Sequence, residues 1–583
     1  MIGSAHLYGT EQSPDDYETI TYGGVSLGFQ SGALRHIRVN GIEAIRNVAF
    51  LVRDRDWGTI QPELGEIIQT RGDDLRLTQP MRFRNGSSQL TVIVTTRITS
   101  TGLTVTAEGE AKGDFETNRA GFTLLHPIDG VAGAPAIVTH SDGRQEAGSF
   151  PLLIEPWQPF MDIAALEHQA NGLAIRCAFS GDIFEMEDQR QWGDASFKTY
   201  NRPLALPWPY LLKDGEKLRQ TVDINWRETG SAKPAEWPAL PAEPRFPRMA
   251  LALSADDALL KDQAIAAVET VGPQALLCHV DAAAGQVAPQ FAAFAALQSE
   301  FPDLSFDLEL ICRFDGTETP AAELTDHART MSQSGFTPAS VFVCPSVDRQ
   351  STPPGSEWPE CPPLAEIHAA AARAFPDLPR GGGMASFFPE LNRKRPPAEL
   401  LDFIMHGLCP IVHAADDLSV METLEAVPHI AASARAIAAG REYRIGPATI
   451  AMRQNPYGSR TIPNPDHGRV CMTDDDPRHH GAFGAAYALG LATALAPHDI
   501  AVWTPAAVLG PRGISGSWPI ADVLRQLAAL AGQPVRYARI GNGIATLAVG
   551  DHQLRANLTA QENDGLDAFG WEAAGIVKPR EGG

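Results

Sequence analysis

Side chains able to do chemistry occur in two arrangements along the 583-residue chain. The first is a dense run, Phe184-Glu185-Met-Glu187-Asp-Gln-Arg190-Gln-Trp192-Gly-Asp194, continuing through Lys198 to Tyr200. In extended backbone Glu185 and Glu187 share a face, so two carboxylates could act together. Lys198 or Arg190 could then hold the negative charge that develops on a carbonyl oxygen. A solvated hairpin also uses charges, but seldom interleaves phenylalanine, tryptophan and tyrosine so closely. The second arrangement is dispersed. His279 and Asp281, Glu309 and Arg313, Ser346 and Asp348, Glu390 and Asn392, His413 with Asp416 and Asp417, Arg453 and Asn455, and Trp503 each lie at or just beyond a short apolar run. Carboxylates and histidines there can do acid–base work, and an indole can stack on a sugar ring. Each also has a plainer reading. His279 could be a hydrogen-bonded core histidine, Glu309 could face a helix, and one of Asp416 and Asp417 is expected to cap the helix that follows.

Several standard chemistries fit poorly. Retaining glycosidases of the large barrel clan carry Asn-Glu at the end of the fourth strand and Glu at the end of the seventh, with the two carboxylates about 5 Å apart. Here the corresponding strings are Cys344-Pro-Ser-Val-Asp348 and Met452-Arg-Gln-Asn455. Gly513-Ile-Ser515-Gly-Ser517 departs from the serine-hydrolase elbow at its last position. No H-x-H or H-E-x-x-H occurs, and adjacent His479 and His480 would point apart, so no metal is expected. In Asp474-Asp-Asp476-Pro477 the expected role of Asp476 is an N-cap, with Pro477 as first helical residue.

The elements that must position these groups fall into regions. Residues 1–228 alternate apolar and polar positions, as in Leu90-Thr-Val-Ile-Val-Thr-Thr-Arg97, with turns at Asn85-Gly86, Asp142-Gly143 and Asn171-Gly172. Such a run predicts an antiparallel β-sandwich. Residues 229–248 carry five prolines and read as a stiff connector. Over 249–532, strands predicted at Met249–Leu253, Gln274–Val280, Ser305–Ile311, Ser340–Pro345, Gly383–Phe387, Leu408–His413, Tyr443–Met452 and Asp499–Thr504 alternate with Ala-rich amphipathic stretches. Eight such units predict a closed (βα)8 TIM barrel, with catalytic groups at the carboxyl ends of its strands. No G-x-G-x-x-G or P-loop opens any unit, which disfavours a doubly wound sheet. Residues 533–583 read as a small β module.

Composition agrees with a soluble cytoplasmic enzyme. Hydrophobic content is 44%, charged content 20%, and the net charge of −23 would repel nucleic acid and anionic membranes. Met1–Asp16 lacks a basic start and an apolar core, so no secretory signal is expected. Ala485–Leu495 is too short to span a bilayer. Seven scattered cysteines without a C-x-x-C pair read as free thiols in a reducing compartment.

The strings Phe184–Arg190, Asp194–Tyr200 and Pro203-Leu-Ala-Leu-Pro-Trp-Pro209 resemble the D-apionate lactonase family, as do Asn118-Arg-Ala-Gly-Phe-Thr-Leu-Leu-His126-Pro127 and Val412-His413-Ala-Ala-Asp416-Asp417. The string ending at His126 is also similar to one found in mutarotase-like sandwiches. The resemblance implies a mutarotase-like supersandwich before the barrel and hydrolysis of D-apionolactone to D-apionate in apiose catabolism. The substrate would be a small-molecule sugar lactone, with no cofactor. A base would deprotonate water, and Glu309, Glu390, Glu185, Glu187 and His279 are the candidates. Arg190, Asp194, Lys198, Asp281, His413, Asp416, Arg453 and Trp503 would bind substrate. The residues leave open whether the base is in the barrel or the sandwich. They also leave open an unusual glycoside hydrolase and a non-catalytic carbohydrate-binding barrel.

Overall fold

The computed structural model describes residues 3–230, 236–458 and 460–575. Part of the expected connector (231–235) and the last eight residues of the expected C-terminal module lie outside the described residues. The chain forms two compact units. One comprises residues 15–190 and 195–237; the other comprises 238 onward, together with 191–194 and the N-terminal residues up to 14.

The first unit is an antiparallel β-sandwich. A seven-stranded sheet ends in Arg119–His126, Phe197–Asn201 and Phe184–Glu187, and a larger sheet carries Ser88–Ile98, Gly102–Lys112 and Lys217–Glu228. The predicted alternation is present. Leu90, Val92, Val94 and Ile98 are buried, while Ile93 between them is exposed. The core includes Phe50, whose ring centre lies 6.0 Å from that of Phe83 in the larger sheet and 5.6 Å, edge-on, from that of Phe122 in its own. All three expected turns close hairpins. At Asn171-Gly172 both residues have positive φ, 51° and 87°, the mirror-image turn that matches strand twist.

The second unit contains the predicted closed barrel of eight parallel strands. Helix starts are set locally. Ser254 and Asp257 form a reciprocal capping box, and Thr319 caps a helix that begins at Pro320. Asp476 accepts from the Arg478 amide ahead of Pro477–His480, which is the expected cap on a single 3-10 turn. The helix Ala482–Leu495 is buried on all sides, the pattern of a helix enclosed by neighbours. No described helix is long and apolar enough to cross a membrane.

Two barrel strands sit away from their predicted places, and the seventh, Glu442–Ala448, stops short of the predicted end at Met452. The sixth is Phe403–Leu408 rather than Leu408–His413. Pro410 cannot donate to a ladder, so the apolar run after it leaves the sheet. The eighth is Val502–Ala507. It passes through Pro505 because the pairing register shifts between Met249 and Leu251 opposite, and a bulge accommodates proline. The small C-terminal sheet has the three expected strands and a fourth, Trp571–Gly575. None of the seven cysteines forms a disulfide; Cys361 and Cys471 are half-buried and the others buried.

Candidate active site

The barrel lumen is layered. Near the amino ends of the strands Ser340 donates to Asp307 at 2.6 Å, and Arg444 donates to Ser340 at 2.8 Å, its guanidinium 3.7 Å from the Phe403 ring centre. This layer closes on itself. Two residues further along the third strand, Ser305–Cys312, Glu309 points into the lumen and is fully buried. The second strand, Ala275–Asp281, brings His279 opposite it in register. The His279 Nδ1 lies 2.7 Å from Glu309 Oε2. From the loop after the seventh strand, Glu442–Ala448, Arg453 donates to both Glu309 oxygens, at 2.5 and 3.0 Å, and to the Ala385 carbonyl.

Burial alone would raise the Glu309 carboxyl. The Arg453 charge and the His279 hydrogen bond outweigh it and hold the group at about 2. Glu309 is therefore a fixed anion and not a proton acceptor near neutrality. It accepts the Nδ1–H of His279, and in the neutral ring that bond leaves the lone pair on Nε2. The His279 side chain is 26% exposed, so the dyad has one dry end and one end open to solvent.

Other polar groups surround the strand ends. Asp281 pairs with Arg349 and accepts the amides of Ala283 and Ala284 at 2.8 and 3.1 Å. Asp348, after the fourth strand, pairs with Lys394; burial raises its carboxyl against that charge. Glu390 accepts from Ser351 at 2.6 Å and Arg393 at 3.0 Å, and burial pushes its carboxyl above the usual range. His413 lies five residues past the sixth strand, and its Nδ1 is 2.7 Å from Asp194. Trp192 packs edge-on to His413, with ring centres 5.8 Å apart, and Arg393 lies 6.0 Å from the Trp192 ring centre.

The structure thus brings His279, Glu309 and Arg453 into direct contact and places Asp281, Glu390, His413 and Asp194 in the same unit. Asp416 is the cap of the helix Asp417–Glu422, accepting from the Ser419 amide. Trp503 is not at a strand end. It is the second residue of its strand, 1% exposed, and lines a small cavity with His479, Tyr487 and Leu491. The longer offset of the eighth strand explains the difference. Glu185, Glu187, Arg190 and Lys198 belong to the sandwich unit. There Glu185 accepts from Tyr200 and the Leu204 amide, Lys198 donates to Glu187 at 3.0 Å, and Arg190 is fully buried against Asp188.

Sequence reasoning missed Arg349, Lys394 and Arg393 as partners. The available signal was the basic run Arg393-Lys394-Arg395 directly after Glu390, whose spacing puts Arg393 one turn from it.

Family models described as "D-apionate lactonase, N-terminal domain" and "D-apionate lactonase, TIM barrel domain" match residues 5–229 and 249–532. A curated D-apionate lactonase of Brucella anthropi is 43% identical over 552 residues, covering 90% of each chain. Solved structures similar to this chain include a putative aldose 1-epimerase of Escherichia coli K12, 12% identical at a TM-score of 0.25 over 37% of this chain and 99% of that one. An α-galactosidase of Lactobacillus brevis is 10% identical at a TM-score of 0.27, covering 94% of this chain and 90% of that one. Likenesses so weak add no argument about the site.

Proposed function

This chain belongs to the D-apionate lactonase family, and from that premise we propose that it hydrolyses a sugar lactone, D-apionolactone to D-apionate, in the breakdown of apiose. The observation that carries the mechanism is the hydrogen bond from His279 Nδ1 to the buried Glu309. It supports His279 as the base among the candidates and Glu309 as the residue that positions it.

Water on the Nε2 side of His279 gives up a proton to that nitrogen as its oxygen attacks the lactone carbonyl. Negative charge moves to the carbonyl oxygen. Arg453, fixed by Glu309 and the Ala385 carbonyl, is the nearest cation to the dyad able to stabilise it with donors not spent on those bonds. The tetrahedral intermediate expels the ring oxygen, which takes the proton back from His279. The product is an open hydroxy acid whose carboxyl ionises and releases one proton. No covalent intermediate is needed, because a strained five-membered lactone is already an activated ester.

Proton release from D-apionolactone, followed with a pH indicator against the spontaneous rate, tests the reaction. Wild-type protein should accelerate it, and His279→Asn should lower kcat by about 10²- to 10⁴-fold while the fold is kept. Folded wild type at the spontaneous rate would overturn the lactonase reading; full activity in His279→Asn would overturn the assignment of the base.

A further inference from the structure

Arg119 in the sandwich has unfinished surroundings. It opens the strand Arg119–His126 and is 6% exposed. Its guanidinium lies 4.1 Å from the Tyr200 ring centre and 5.4 Å from that of Trp57. Among the described residues its only hydrogen-bond acceptor is the Arg202 carbonyl, 3.4 Å from Nη2, and Nε is buried with none. A buried guanidinium ordinarily takes a carboxylate or phosphate on two parallel donors, and leaving such donors unmet is costly. The neighbouring carboxylates are engaged elsewhere, Glu185 by Tyr200 at 2.6 Å and Glu187 by Lys198 at 3.0 Å.

Two further features adjoin it. Lys198, almost wholly buried, lies 5.1 Å from the centre of the same Tyr200 ring. Burial pushes both cations below their usual values; Lys198 has Glu187 as its counter-charge at 3.0 Å, whereas no carboxylate hydrogen-bonds Arg119 among the described residues. Trp57 packs edge-on to Trp208, with ring centres 5.3 Å apart, and Trp208 is 40% exposed. A half-buried indole, Trp57, and an exposed one, Trp208, beside a buried cation combine an apolar face with a charge.

We propose that this part of the sandwich is a second ligand site that binds a hydroxylated carboxylate of the aldonate class, with the carboxylate on Arg119, hydroxyls on Lys198 and Glu187, and the carbon skeleton against Trp57 and Trp208. A neutral sugar would leave Arg119 unmet. Inorganic phosphate would leave the indoles unused. With a net charge of −23 the chain has no general attraction for anions, so capture depends on these local contacts. The aldonate class rests on the lactonase reading, since that reaction makes one; the geometry by itself asks for a hydroxylated carboxylate.

Calorimetric titration of the full chain with D-gluconate tests the site without any turnover. Binding is expected in wild type and in His279→Asn, and should weaken at least about tenfold in Arg119→Gln and in Trp208→Ala. Sorbitol and inorganic phosphate should bind at least about tenfold more weakly than gluconate. The site is overturned if gluconate does not bind, if it binds both variants as tightly as wild type, or if phosphate binds equally well. Trp208 is exposed, so Trp208→Ala carries the test should Arg119→Gln fail to fold. Lost proton release with gluconate binding retained would sink the lactonase reading and leave the site; the reverse would sink the site and leave the reaction.

Discussion

Asp188 in the sandwich and Glu309 in the barrel are both buried carboxylates gripped by an arginine, yet their surroundings are completed differently. Arg190 donates to both Asp188 oxygens, at 2.8 and 2.7 Å, and its remaining donors reach the carbonyls of Pro151 and Leu152 at 2.9 and 3.1 Å. The Glu155 amide adds a bond at 3.0 Å. Every one of those partners belongs to the scaffold, and the pair acts as a strut. Glu309 also receives two bonds from an arginine, but its third partner is an imidazole whose far side reaches solvent. Burial dominates at Asp188 and raises its carboxyl, whereas at Glu309 arginine and histidine together overcome burial. A buried ion pair is thus no mark of function in itself; what sets Glu309 apart is the half-open imidazole that the proposed reaction uses as its base.

The sharpest test of this contrast is neutralising each carboxylate. Glu309→Gln should lower kcat by about 10³- to 10⁴-fold, because the imidazole loses the partner that sets its tautomer. It should also cost about 3–5 kcal/mol in urea denaturation, since Arg453 is left without its counter-charge. Asp188→Asn should cost a similar 3–5 kcal/mol for the same reason, with kcat per folded molecule unchanged. If Glu309→Gln loses stability but keeps kcat, Glu309 is a strut like Asp188 and the contrast fails.

A smaller effect separates two histidines. His279 has a carboxylate partner, whereas His168 in the sandwich core has no partner at either ring nitrogen among the described residues and packs against Phe150 and His126. Burial holds His168 down at about 4. The unfolded chain therefore binds a proton there that the folded chain refuses, so stability is complete above pH 6.5 and falls as the pH drops toward 4. The loss at this site amounts to roughly 3 kcal/mol. His168→Leu should remove that share of the acid sensitivity, read as a smaller difference in urea midpoint between pH 7 and pH 4.5. An unchanged difference would show that His168 is protonated or solvated in the folded state.

Much of the fold was legible because the signals were local. Alternation in Leu90–Ile98, the turn at Asn171-Gly172 and the cap at Asp476 each depend on a few neighbouring residues. Where two local signals competed, reading failed. Phe403–Leu408 and Leu408–His413 are equally apolar, and only the missing amide of Pro410 decides between them. The predicted eighth strand ended at Thr504, which put Trp503 near its end, and the bulge that admits Pro505 depends on the strand opposite. The site was legible as a set of candidates and not as an arrangement, since nothing near Glu309 in the chain announces Arg453.

The sequence by itself determined the types of element, their order, the family, and a set of groups at the barrel's strand ends, all of which follow from short-range periodicity, caps and motif strings. Only the tertiary structure decided which of those groups meet. Glu309 and Arg453 are 144 positions apart, and His413 and Asp194 are 219 apart. Closure of an eight-stranded barrel places residues from different strands in one lumen, and burial there makes each carboxylate's partner, rather than its neighbours in the chain, set its charge and its role.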